Sequence, residues 1–283
     1  MSIRTKLLRC LINVAVLVFA SSVVTSAAET GAPKPVRLAV VNTPFFSGLM
    51  ADLVDDFKKQ SGLEVTMVSG QDIYDRARAG EVDIVISHYG FSDVEAFVLG
   101  GYGRWPRLVF SNQMAIIGPK SDPAQIRGVA SASDAFRRIA ETKAPFVPNA
   151  LPSVMYLTEY LWERAGRPDK AGWYLEPNEA KGQAIKRAEE KGAYVIWGAL
   201  PFLRFTQQHE TQMEILVAGD PILQRVMASI IVNPDKVAGV NAEGAATFEQ
   251  YLLSPRAQAR VAAFRSHGTD LQLWWPAARS NSE

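Results

Sequence analysis

The chain has 283 residues, 48% of them apolar and 21% charged, with 30 basic side chains against 29 acidic ones. That apolar content suffices for two modest cores or one large α/β domain, and the balanced charge, with no stripe of Lys and Arg interleaved with aromatics, excludes nucleic acid as an expected partner. Cys10 is the only cysteine.

Residues 1–28 read as a secretory signal. Arg4, Lys6 and Arg9 form a basic start, Leu11 to Ala20 an apolar stretch, and Ser26, Ala27 and Ala28 supply small residues for cleavage. Asn13, Ser21 and Ser22 break the apolar run and leave it short for a membrane span. Cys10 precedes the apolar stretch, so it is not the acylated cysteine of a lipoprotein. Removing the segment leaves 27 basic and 29 acidic residues, a net charge near −2, and no thiol. Disulfides, thiolate metal sites and cysteine nucleophiles are thereby ruled out for the exported chain. No cofactor is expected.

Val36 to Val41 is a near-continuous apolar run that suits a parallel strand covered on both faces. A loop follows through Thr43 and Pro44. Ser47 then caps a helix whose Leu49, Met50, Leu53, Val54 and Phe57 recur at helical spacing until Gly62. Further strands are expected at Glu64–Val68 and Val82–Ser87, with a short helix carrying Ile73, Tyr74 and Ala77 between them. A helix opened by Ser92 and Glu95 follows. Strand ends of an open α/β sheet collect ligands, because free backbone N–H groups and helix dipoles point into the crevice. Three ends therefore supply candidate ligand-binding residues: Thr43 with Ser47, Ser69 with Gly70 and Gln71, and His88 with Tyr89.

Leu108–Ile117 reads as a long strand leaving this first lobe for a second. The second lobe is expected to hold helices at Ser133–Thr142, Ser153–Ala165 and Asn178–Lys191, a short strand at Pro145–Val147, and strands at Ala193–Trp197 and Met213–Val217. Pro201 falls in the first turn of the helix between those last two. Arg225–Pro234 is a second long apolar strand, taken as the return crossing. Two amphipathic helices follow, one with Phe248 and Leu252, the other opening at Ser254 and Pro255. The expectation is an α/β chain of two lobes, each a mixed sheet flanked by helices. Lobe 1 comprises 36–112 with 230–283 and lobe 2 comprises 118–225, joined by hinge strands at about 108–117 and 226–233.

Several motifs then carry a family resemblance over nearly all of the exported chain: DFKKQSGLEV from Asp56, SGQ at Ser69, GEVDIVISH from Gly80, and GGYGRWPRLVFSNQMAIIGPKSDPAQI from Gly100. APFV at Ala144, LWERAG at Leu161, GWYLE at Gly172, KGAYV at Lys191 and VNP at Val232 continue it in order. The chain resembles the tungstate-binding and molybdate-binding periplasmic proteins that feed ABC transporters. The resemblance implies a type II periplasmic-binding-protein fold, a small-molecule or oxyanion ligand held between two lobes, a permease at the inner membrane as partner, a periplasmic location and a monomer.

The resemblance also marks departures. The family carries a run of Thr and Ser at the first strand end, whereas Asn42 to Ser47 keeps only Thr43 and Ser47, and Pro44 lacks a backbone donor. After the short strand the family places Ser, Arg, Gly and Asp, then Ser and Gly; here Val147 to Tyr156 offers only Asn149 and Ser153. Trp197, Gly198 and Ala199 stand where polar residues including Asp and Arg are expected. The expectation is a site stripped of its cationic half, with Arg104 and Arg107 as the available substitutes and weak tungstate binding. Phe45, Phe46, Tyr89, Phe91, Tyr156 and Trp197 predict an aromatic cleft for a larger, partly apolar ligand. Asn149, Ser153 and Trp197 are the second-lobe candidates. No enzyme signature is present: GxSxG, GxxxxGK[ST] and HExxH are absent, and GGYG is followed by Arg104, Trp105 and Pro106 where a dinucleotide site needs a helix. A periplasmic sensor is the other class the chain admits.

Overall fold

A computed structural model describes residues 34–90, 92–266 and 268–277. The secretory segment, Cys10, Phe91 and His267 lie outside the described residues. The first strand, β1 (Val36–Val40), pairs in parallel with β2 (Val65–Ser69) on one side and β3 (Ile84–His88) on the other. Beyond β3 runs the antiparallel β7 (Gln224–Ile231), and beyond that β4 (Arg107–Pro119). β1 and β3 are buried on both faces apart from the half-buried Arg37, as their mostly apolar runs predict.

β4 is the strand the two lobes share. Up to Gln113 it pairs with β7; from Met114 onward it pairs with β5 (Val195–Gly198) and β6 (Met213–Val217). At the handover the Gln113 amide donates to the Met114 carbonyl at 2.7 Å, satisfying a buried acceptor where the ladder changes partners. β7 pairs along its length with β3 and β4, so the return into the first sheet is made before Gln224 rather than within the expected strand at 226–233. A three-residue strand, β8 (Trp274–Pro276), adds to β4 and was not anticipated; it is too short to show an alternation.

Helices cover both faces of each sheet. On one face, α2 (Leu49–Ser61), α9 (Ala242–Leu253) and α10 (Pro255–Ala263) pack on the first sheet. The same apolar layer continues into α7 (Gly182–Lys191) and α8 (Ala199–Gln208) on the second. α3 (Ile73–Arg78) and α4 (Ser92–Leu99) close the other face of the first sheet, and α5 (Ala132–Glu141) and α6 (Pro152–Arg164) that of the second. α2 buries Leu49, Met50, Leu53 and Phe57, each worth about 1.5–3 kcal/mol. Gly62 ends it in the left-handed conformation, φ 71°, as the sequence predicts. Gly118 on β4 is needed for packing: a Cβ there would meet the Tyr194 ring at 2.5 Å.

Three local departures bear on the site. The loop expected after β1 is a short helix, α1 (Asn42–Phe46), whose buried third residue Pro44 already has a φ suited to a helix. The strand expected at Pro145–Val147 shrinks to isolated bridges of Phe146 with Tyr174 and Tyr194. α7 starts at Gly182 instead of Asn178, because Lys181 is held at φ 55°, ψ −136°. The Asn149 side chain enforces that geometry, accepting from the Lys181 N–H at 3.0 Å and donating to its carbonyl at 3.5 Å.

Candidate functional site

A cleft of about 290 Å³ opens where the two sheets meet. Its floor is the pair of long strands: Asn112 and Met114 alternate onto one face of β4, and Arg225 of β7 lies directly across from Asn112. The first-sheet wall is Asn42 and Thr43, from the opening turn of α1, and His88 at the end of β3. The opposite wall is Lys181, with Trp197, Gly198 and Pro201 at the junction of β5 and α8. Leu151 and Val154 at the start of α6 complete it.

Electrostatics give this space a sign. Arg225 and Lys181 line it, and none of the lining residues is an Asp or Glu. Burial lowers the Arg225 guanidinium to about 10, which leaves it charged at neutral pH. His88 is pushed down to about 3, chiefly by burial and then by the Arg225 charge, against a hydrogen bond with Asn112 that pulls upward. The imidazole is therefore neutral at pH 7. The cleft presents cations and neutral polar groups, an arrangement that favours an anion.

The expected site residues divide. Thr43, His88 and Trp197 line the cleft. Ser47 is buried and turned into its own turn, donating to the Pro44 carbonyl at 3.0 Å and accepting from the Leu49 N–H at 3.1 Å; it stands outside this cleft and borders a neighbouring cavity with Phe46 and Leu200. Asn149 is fully buried; it holds Lys181 and does not itself face the cleft. Ser69 ends the edge strand β2, which β1 and β3 separate from β7; Gly70 and Gln71 follow it, and none of the three is among the cleft residues. Tyr89 is half exposed in a separate groove with Val98, Leu99 and Trp105. Ser153 sits in the first turn of α6 between Leu151 and Val154 and is likewise outside the lining.

The cleft lining does include cations: Arg225 and Lys181, from segments read only as a crossing strand and a helix. Arg104 and Arg107 are not among the lining; their charges act on the buried Glu249, whose carboxyl burial raises and whose proton affinity they lower. Of the predicted aromatics, Trp197 lines the cleft and Phe46 an adjoining cavity, while Phe45 packs at the edge of the core and Tyr156 stands exposed on α6. A signal for the missed residues exists in the sequence. Ser111, Asn112 and Gln113 interrupt an apolar strand with three buried polar side chains, and Arg225 opens another.

A family model for the PBP superfamily domain matches residues 25–256. The chain belongs to the PBP superfamily. The superfamily's relatives of this chain include tungstate-binding protein TupA of Peptoclostridium acidaminophilum, 28% identical over 256 residues, covering 88% of each chain. Among solved structures, the chain is similar to the tungstate-binding protein TupA from Desulfovibrio alaskensis G20 (TM-score 0.72, 27% identity, covering 86% of this chain and 99% of that one). It is also similar to the tungstate ABC transporter structure from Geobacter sulfurreducens (TM-score 0.65, 26% identity, covering 82% and 99%). The fold is that of the type II periplasmic binding proteins, with a mixed sheet flanked by helices, and the superfamily is one of substrate-binding proteins.

Proposed function

We propose that this protein is an extracytoplasmic receptor that captures a small anion between its two lobes and delivers it to an ABC-type permease, without catalysing a reaction. The observation that carries the reading is the cleft lining: Arg225 and Lys181 face a space bounded by Asn42, Thr43 and Asn112, with no carboxylate among them. Cations gathered around an open volume raise the local concentration of anions and favour one there. Resemblance to tungstate receptors supports the transport role. The predicted secretory segment supports export to the periplasm, and among the described residues no helix is long and apolar enough to cross a membrane.

Closure follows from the shared strand. Ligand-driven bending at β4 near Gln113 and Met114, and at the chain before Gln224, brings Lys181 and Trp197 toward Arg225. A ligand favours closure only by its preference for the closed form. The test is titration calorimetry of the mature protein with tungstate, molybdate, sulfate and organic acids, paired with small-angle scattering. Binding by at least one anion, with compaction, is expected. Failure of every anion to bind contradicts the reading.

A further inference from the structure

The cleft does not end at the cationic floor. A second cavity, also about 290 Å³, shares Asn42, Thr43, Trp197 and Pro201 with it and runs outward between α1 and α8. Its character differs. Phe46, Leu200 and Phe205 join Trp197 there, and Arg204 lies over the Phe46 ring at 4.9 Å. Trp197 meets Phe205 edge to face at 6.5 Å, and Phe46 meets Phe45 in the same manner at 5.2 Å. Phe46 nonetheless keeps 53% of its surface exposed at the cavity's mouth. Large rings left in water beside a concavity are what an apolar ligand group covers.

We infer that the ligand is an organic carboxylate carrying a flat apolar body, with its carboxylate on the Arg225 floor and its body laid past Trp197 into the cavity between α1 and α8. The inference rests on the receptor reading above and names its ligand class. A guanidinium fork in a strand floor matches a planar carboxylate, which it can hold through two parallel hydrogen bonds. A single negative charge also loses less hydration on entering the cleft than a compact dianion does. A tetrahedral oxyanion fills only the floor. It leaves the adjoining cavity and its rings without use, whereas the two cavities together reach the size range of small-molecule sites, about 300–1,000 Å³. Pro201 suits both ends: it lacks an N–H, so the first turn of α8 presents an apolar ring where a donor would otherwise point.

The experiment is titration calorimetry with acetate, benzoate, phenylacetate and tungstate on the mature protein and on its Trp197→Ala and Arg225→Met variants. Benzoate or phenylacetate is expected to bind at least about tenfold tighter than acetate and tungstate, a modest gain for burying a phenyl ring. Trp197→Ala is expected to bring the ratio of aryl-acid to acetate affinity down to about one, whatever its effect on acetate itself, and Arg225→Met to abolish binding of the aryl acids. Aryl acids that bind no better than acetate, or more weakly than tungstate, overturn the inference; so does undiminished aryl-acid binding in either variant. Tungstate binding that depends on Arg225, without aryl-acid binding, leaves the receptor reading standing and removes only this ligand class. Circular dichroism of each variant checks that the fold is kept.

Discussion

Two clusters of charge in this molecule look alike in composition and differ in completeness. Under α2, the Asp56 carboxylate is 4% exposed and fully engaged. Arg256 donates to it at 2.6 and 2.8 Å, Tyr251 at 2.9 Å and Gln60 at 2.8 Å, while Arg260 stands at 3.5 Å and pairs with Asp52 at 2.6 Å. The Arg256 hydrogen bonds, opposed by burial, hold the Asp56 carboxyl far below the usual carboxylate range. In the cleft, Arg225 and Lys181 line a space whose walls include no carboxylate. The first cluster carries its own counter-charge and fastens α2 to α9 and α10. The second surrounds an open volume. Cations alone therefore do not mark a functional site; cations around an open volume without built-in anions do.

The difference breaks apart under mutation, in decreasing order of effect. Asp56→Ala removes the centre of a complete cluster and is expected to destabilise the protein by about 3 kcal/mol, the low end for broken buried pairs because both arginines reach water. Urea denaturation measures it, and a loss within experimental error of zero would erase the contrast. Arg225→Met, in the cleft floor, is expected to lower anion affinity by about a hundredfold, read by titration calorimetry; unchanged affinity would remove Arg225 from the site.

His88 gives a pH signature. Its folded value, about 3, lies below the unfolded value near 6.5, so between those limits the unfolded chain binds more protons. Stability therefore falls on acidification from pH 6.5, by up to about 1.4 kcal/mol per pH unit. Asp56 shifts the same way but acts only below its unfolded value of 3.8, while Glu249, whose carboxyl burial raises, works in the opposite direction above 4.5, so it is the comparison with a His88 variant that isolates the imidazole. The slope is expected to flatten in His88→Gln; an equal slope in both proteins would place the titrating group elsewhere. The smallest effect concerns Lys181, whose φ of 55° and ψ of −136° suit glycine. Lys181→Gly is expected to raise stability by about 1 kcal/mol and to weaken anion binding, the mark of strain kept for a ligand contact. A stability loss would show that the Asn149 clamp stores no strain.

How much of this was readable in the chain differs by element. Buried strands such as β1 and β3, and helices with clear boundary signals, such as α2 stopping at Gly62 and α10 opening at Ser254, follow from local pattern, and the structure reproduces those boundaries within one or two residues. The type II architecture follows from motif order over the whole chain. The site was only partly legible. Thr43, His88 and Trp197 stand at strand ends, where convergence is a topological rule. Arg225 and Lys181 reach the cleft through pairing across β4 and β7 and through a long-range clamp by Asn149, which no local period records. Ser47 misled for a physical reason: a hydroxyl two residues before a helix satisfies its own backbone first.

The central claim is that the cleft takes an anion and that Arg225 helps to hold it. Its most direct test is thermal unfolding of the mature protein and of Arg225→Met, each with and without tungstate, molybdate, sulfate, phosphate and benzoate at matched ionic strength. At least one anion should raise the wild-type Tm, since a ligand at a hundred times its Kd adds about 2.7 kcal/mol of stability. The same anion should leave the Tm of the variant unmoved. An equal rise in both proteins, or no rise of the wild-type Tm with any of these anions, would contradict the account.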